Sequence, residues 1–137
     1  MMKIFLCCSR HLYSKIPPIR EQLENAGHLI TLPNSYDNPG KEEAMKLEGA
    51  QAHAQWKASM IRLQKDKVEA NEAILILNLE KNGLHNYIGG ATFLEIFKAF
   101  ELRKKIFLYN PIPENIFKDE LAAMSPLVIH GDLSRIR

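Results

Sequence analysis

Short apolar runs alternating with helical stretches constrain the fold of this chain more than any other feature. Four runs cover residues 3–8, 28–32, 73–78 and 105–109, and a weaker fifth covers residues 127–130. None of them alternates cleanly between polar and apolar residues, a pattern typical of strands that are buried on both faces of a parallel sheet. The runs therefore predict five parallel strands.

Helical stretches separate the predicted strands. The first covers residues 17–27, since proline is tolerated in the first turn of a helix and glycine commonly ends one. The second covers residues 42–71 and is either one bent helix or two helices, with Gly49 as the break. The third begins near Ala91, and the last covers residues 113–124.

The resulting order is β-α-β-α-β-α-β-α-β, which favours parallel units joined by right-handed crossovers. Five such strands predict a sheet of order 2-1-3-4-5 in a three-layer α/β sandwich of the flavodoxin-like or Rossmann-like class. A chain of 137 residues with 46% hydrophobic and 25% charged residues fits one domain over residues 1–137.

Composition and cysteine usage exclude several classes of function. A net charge of +2 is too small for a surface that binds nucleic-acid polymers. Cys7 and Cys8 are adjacent, too close for an ordinary disulfide, and they lack the spacing of a zinc site. No signal peptide and no apolar run long enough to span a membrane is recognised. We expect a cytoplasmic protein without a metal.

The predicted topology locates a ligand site before any chemistry is considered. In such sheets ligands bind at the carboxyl ends of the strands where the strand order reverses, here between strands 1 and 3. The loops concerned cover residues 8–14 and 79–90. Gly89 and Gly90 precede a helix, where close backbone approach and free amides suit an anion or a polar ligand, with Thr92 in the first turn. The alternative is a turn that merely requires glycine.

Glu95 is the candidate reactive group in this region. It lies one turn into a helix whose other residues are largely apolar, where a carboxylate is costly unless it is paired or used. The alternative is a solvated glutamate on a narrow polar strip shared with Lys98 and Glu101.

The stretch Asn86-Tyr-Ile-Gly-Gly-Ala-Thr-Phe-Leu-Glu-Ile-Phe-Lys-Ala-Phe100 resembles the Gly-rich, Thr-x-x-Glu signature of the nucleoside 2-deoxyribosyltransferase superfamily, which includes the deoxynucleoside 5′-monophosphate N-glycosidases. The resemblance extends to strand 1 with Cys8-Ser9, to residues 73–78 and to residues 104–114. It implies a flavodoxin-like fold, a homodimer or larger assembly, and no cofactor. It also implies that Glu95 attacks C1′ of the sugar as the nucleobase leaves.

The resemblance implies further roles with alternatives left open. Ser9 would hydrogen-bond the sugar or the 5′-phosphate, and Arg10 and His11 would neutralise the phosphate, unless they are solvated loop residues. Tyr13 would close the pocket over the base, unless it only packs. The other residues expected to bind substrate are Asn78, Gly89, Gly90 and Thr92.

Two features depart from the family pattern. Cys8 and Phe97 stand where the family commonly has glycine. The acid that handles the leaving base has no clean match among Asp66, Glu69 and Glu72. Asp66 is our assignment, and its alternative is a solvated charge between two lysines.

The predicted function is therefore cleavage or base exchange at the N-glycosidic bond of a nucleoside or nucleoside 5′-monophosphate. The alternative is a non-catalytic nucleotide-binding or signalling module on the same fold. A receiver domain would carry clustered aspartates after strand 1, and a flavodoxin would carry a phosphate loop rich in serine, threonine and glycine. Residues 7–12 supply neither.

Overall fold

The computed structural model describes residues 1–137. Its strands are β1 (Lys3–Cys7), β2 (Leu29–Thr31), β3 (Ala73–Ile76), β4 (Lys105–Leu108) and β5 (Leu127–Val128). Its helices are α1 (Ile16–Asn25), α2 (Lys41–Glu48), α3 (Ala50–Glu69), α4 (Gly90–Glu101) and α5 (Lys118–Ala123). Two 3-10 helices cover Arg10–Lys15 and Leu133–Arg135.

All five strands pair in parallel, in the order β2-β1-β3-β4-β5. The central register is fixed on both sides of β1, where Ile4 lies opposite Ile30 of β2 and Ala73 of β3. The predicted flavodoxin-like α/β fold and its strand order are thereby confirmed.

Alternate residues of the central strands face two separate cores. Ile4 and Leu6 point to one face, where they pack with Ile16 and Leu23 of α1. Phe5 and Cys7 point to the other face, in a cluster that also includes residues of α3, α4 and α5. Because β1, β3 and β4 are covered on both sides, their residues form the continuous apolar runs seen in the sequence.

The two edge strands differ from the prediction that every run is buried on both faces. Leu29 of β2 and Leu127 of β5 are exposed at 55% and 48%. Each edge strand has a neighbour on one side only and is short, so the helical layers do not cover it fully.

The helices follow the prediction except near the end of the chain. The long stretch divides into α2 and α3 at Gly49, whose φ of 126° is open to glycine and costly for other residues. The last helix begins at Lys118 rather than near residue 113. Before it, the side chain of Asn115 accepts a hydrogen bond from the amide of Phe117 at 2.8 Å, a local turn that competes with the helix. No helix combines the length and the apolar character needed to cross a membrane.

Candidate active site

A cavity of about 360 Å³ opens at the carboxyl ends of β1 and β3. This is the point where the strand order reverses, as the predicted topology requires. One side is formed by the loop after β1 and the opposite side by the loop after β3 and the first turns of α4. Residues of α2 and α3 complete the wall. The cavity therefore joins segments that are distant in sequence.

Glu95 belongs to the buried face of α4. The residues buried on this helix are Thr92, Glu95, Ile96 and Ala99, which recur at the spacing of one helix face. Lys98 and Glu101 instead pair with each other at 2.8 Å on the outer surface. Glu95 is therefore not part of that solvated strip, and its side chain lines the cavity.

The carboxyl group of Glu95 is electrostatically unusual. It is only 6% exposed, and loss of water raises its pKa from 4.5 to about 8. The neighbouring Cys7 thiol and the charges of Lys67 and Lys57 lower the pKa and only partly offset burial. At neutral pH the carboxyl group of Glu95 is therefore mostly protonated.

The start of α4 presents backbone groups to the cavity. Gly89 precedes the helix, and no side chain caps it, so the first amides have no partner within the helix. A Cβ at Gly89 would lie 2.8 Å from the hydroxyl oxygen of Tyr87. A side chain at this position would therefore have to displace the Tyr87 ring, although the φ of −92° at Gly89 is ordinary for any residue. The Lys81 ammonium lies over the face of the Tyr87 ring, 4.4 Å from the ring centre.

The loop after β1 brings four predicted residues to the cavity: Ser9, Arg10, His11 and Tyr13. The guanidinium of Arg10 forms an ion pair with Glu43 of α2. Partial loss of water and the nearby charges of Lys81 and Arg10 lower the pKa of His11, which favours the neutral ring. Burial raises the pKa of Tyr13, whose ring packs against Tyr36 at 5.6 Å between ring centres.

A polar wall from α2 and α3 was not predicted from the sequence. Glu42 accepts hydrogen bonds from His53 at 2.9 Å and from Lys57 at 3.1 Å, so it holds the two helices together at the cavity. Gln64 donates to the carbonyl oxygen of Ala91 at 3.1 Å and ties α3 to the start of α4. The signal for this wall was available, because Lys57, Met60 and Gln64 follow the i, i+3, i+7 spacing of one helix face.

Two predicted site residues lie elsewhere. Asp66 is exposed on α3 and does not line the cavity. Asn78 is fully buried, and its amide is used within the protein. It donates to the carbonyl oxygens of Asn110 and Pro111 at 2.8 and 3.1 Å and accepts from the Asn110 amide at 2.9 Å, which joins the ends of β3 and β4.

Gly90 and Thr92 do line the cavity with Glu95, as predicted. No group of three histidine, cysteine, aspartate or glutamate side chains is arranged to hold a metal ion.

Comparison with protein-family profiles, with curated proteins and with solved structures found no match for this chain.

Proposed function

We propose that this protein cleaves or exchanges the N-glycosidic bond of a nucleoside or nucleoside 5′-monophosphate, with Glu95 as the nucleophile. The observation that carries the proposal is the placement of one buried carboxyl group, facing a cavity of about 360 Å³, at the strand-order reversal. The resemblance of residues 86–100 to the nucleoside 2-deoxyribosyltransferase superfamily supports the same chemistry.

The reaction proceeds in two displacements at one carbon. A carboxylate oxygen of Glu95 forms a bond to C1′ while the bond from C1′ to the base nitrogen breaks, and its electron pair leaves with the base. The resulting ester is then attacked at C1′ by water or by a second base. The ester bond breaks, the carboxylate is restored, and the proton of the incoming group is released.

The surrounding groups suit a sugar with a polar or anionic end. The uncapped amides at the start of α4 and the Ser9 side of the β1 loop both border the cavity. Such amides favour negative charge, which fits a 5′-phosphate. Lys81 adds a cationic group at the cavity, and Arg10 adds a second one that a phosphate would have to share with Glu43. Tyr13 and Tyr87 supply aromatic surface on which a flat base can pack.

The pKa of Glu95 predicts the pH dependence of the first step. Attack on C1′ requires the carboxylate, and burial raises the pKa of this carboxyl to about 8. The rate with substrate well below saturation should therefore rise with pH and level off above about 8. A rate that falls across this range would assign Glu95 the role of an acid and contradict the nucleophile.

The decisive experiment follows the release of free base by chromatography from a panel of nucleosides and 5′-monophosphates. Glu95→Gln keeps the shape of the side chain and removes the nucleophile, and it should lower the rate by at least about a thousandfold. Glu101→Gln is the matched control, since its carboxyl lies on the exposed face of the same helix and pairs with Lys98. Equal loss in both variants would contradict the proposal.

One observation favours a second candidate, a module that binds a nucleotide without turnover. Asp66, the acid assigned to the leaving base, does not border the cavity. Protonation of the base then depends on another group or on water. If no member of the panel releases base but a nucleotide raises the melting temperature of the wild-type protein and not that of Glu95→Lys, the binding module replaces the enzyme.

The homodimer also stays a prediction. Leu94 and Phe97 on the outer face of α4 are exposed at 39% and 43%, which is apolar surface of the kind that a second copy covers. Light scattering coupled to gel filtration measures the assembly directly.

A further inference from the structure

A second concavity lies at the opposite end of the sheet from the candidate active site. It has a volume of about 520 Å³ and is bordered by the start of β4, the start of β5 and the end of α4. We call it the basic groove. Phe100 and Leu127, each 48% exposed, supply apolar surface to it. Leu127 is open because β5 is an edge strand, and the catalytic proposal uses neither of these apolar side chains.

No acidic residue borders the basic groove. Four cationic residues do, namely Arg103, Lys104, Lys105 and Arg137. None of the four forms an ion pair in the structure. Lys104 donates to the carbonyl oxygen of Glu69 at 3.2 Å, and Lys105 donates to the main-chain oxygen of Arg137, the last residue of this sequence, at 2.9 Å. This local charge exceeds the net charge of +2 carried by the whole chain. The groove therefore combines apolar surface with positive charge that no acidic side chain compensates.

The backbone at the groove also departs from the ordinary choice of residue. Arg103 follows α4 with a φ of 56°, in the left-handed region where helix ends usually have glycine or asparagine. Ser125, which also borders the groove, has a φ of 51°. Both residues directly follow the C-cap of a helix, where a left-handed residue lets the chain turn away, and both border the groove.

We propose that the basic groove binds an acidic segment of a partner protein, with an apolar side chain of that segment placed against Phe100 and Leu127. Charge complementarity selects the occupant, since carboxylates of the segment would compensate Arg103, Lys104 and Lys105. An anionic membrane offers the same charge, but its surface is flat on this scale. The apolar side chains here line a concavity and do not project from the protein, which favours the peptide.

The test uses the full chain and a fluorescein-labelled peptide in which a run of glutamates flanks a central pair of leucines. Anisotropy at low ionic strength should show binding, and the affinity should fall as salt screens the charges. Two further peptides separate the contributions, one with serines in place of the leucines and one with glutamines in place of the glutamates. Both should bind more weakly than the parent peptide.

Protein variants locate the binding site. Arg103→Asn combined with Lys104→Gln should weaken binding by about tenfold, because two exposed charge contacts are lost. Lys15→Gln combined with Arg62→Gln removes the same charge outside the groove and should leave binding close to that of the wild type. Leu127→Ser tests the apolar contact, and Ile116→Ser, at an 86% exposed residue, is its control.

Three outcomes would overturn the proposal. The first is that the wild type binds the parent peptide no better than the peptide without leucines. The second is that the groove and control variants lose affinity equally. The third is that vesicles rich in phosphatidylserine are bound through Arg103 while the peptide is not, which would assign the groove to a membrane.

Discussion

Among the carboxylates of the chain, Glu95 stands out because it is buried. Its carboxyl group is buried, and the stabilising charges of Lys57 and Lys67 do not fully offset the loss of water. Reactive groups are commonly held in such unfavourable surroundings, where burial shifts their pKa toward the working pH. The cost can be measured without knowing the substrate.

Folding stability should fall as pH rises, through Glu95. Its pKa is about 8 in the folded protein against an ordinary value of 4.5, so the folded state binds more protons between these limits. Stability from this group is complete below about pH 4.5 and is lost as pH rises through about 8. Each unit of pKa difference corresponds to about 1.4 kcal/mol, which amounts to several kcal/mol in total.

Urea denaturation of the wild type and of Glu95→Gln at about pH 5 and about pH 9 measures this directly. The variant should gain stability relative to the wild type by several kcal/mol between the two pH values, because the amide has no charge to bury. Titrating groups distant from Glu95 are shared by both proteins and cancel in the difference, whereas Cys7 and Cys8, whose pKa values the Glu95 charge raises, add a smaller change at the upper pH. A difference that stays constant with pH would show that the carboxyl of Glu95 is well solvated.

The resemblance of residues 86–100 led to Glu95, which the structure places at the cavity, whereas Asp66 and Asn78 lie away from it. The helical spacing alone left open a solvated glutamate on a strip with Lys98 and Glu101, and the structure shows that Glu95 is buried instead. Asp66 lies on the exposed side of α3, and the rotation of that helix is set by Gln64 and Val68, which face inward. The role of Asn78 depends on Asn110, 32 residues away, a pairing that local pattern does not reveal.

Of the helical elements, α2 is the least embedded. None of its residues is buried, and it is held by the ion pair of Glu43 with Arg10 and by the contacts of Glu42 with α3. Its position over the cavity therefore depends strongly on the direction in which the chain turns at Gly49.

Gly49→Ala should destabilise the protein by about 1–3 kcal/mol, because φ of 126° with ψ of 166° is costly for any residue with a Cβ. Gly40→Ala is the matched control at the other end of α2. Its φ is −85° and no atom lies within 4 Å of the added Cβ, so stability should change by less than about 1 kcal/mol. Urea denaturation compares the two. If both substitutions changed the free energy of unfolding equally, the backbone at Gly49 would accommodate a Cβ without strain.

Secondary structure could largely be predicted because the strands are short, apolar and separated by clear turn residues. The spacing of Lys57, Met60 and Gln64 indicates that they share one helix face. That this face borders the cavity could not be predicted, since it depends on where the crossover from β2 to β3 passes over the sheet. The start of α5 at Lys118 could not be predicted either. The composition allows a helical turn before it, but the hydrogen bond from the Phe117 amide to the Asn115 side chain forms a local turn there instead.

The sheet separates two candidate binding regions. The cavity lies at the carboxyl ends of β1 and β3, while the basic groove lies at the amino ends of β4 and β5. Between them run fully buried residues such as Ile74, Leu75 and Ile76. Close packing of this kind leaves a central strand with one arrangement, whereas coupling between distant sites requires an element with two.

We therefore expect the two regions to act independently. Arg103→Asn combined with Lys104→Gln should leave kcat/KM for base release, or nucleotide-induced stabilisation if there is no turnover, within about twofold of the wild type. Glu95→Gln should likewise leave the affinity for the acidic peptide unchanged. Coupling between binding sites is reciprocal, so nucleotide should not alter peptide affinity and peptide should not alter nucleotide affinity. If nucleotide changed the peptide affinity and peptide changed the nucleotide affinity by the same factor, the two regions would be coupled. The sheet, or an assembly of several copies, would then have two states, and both ligands would favour the same one.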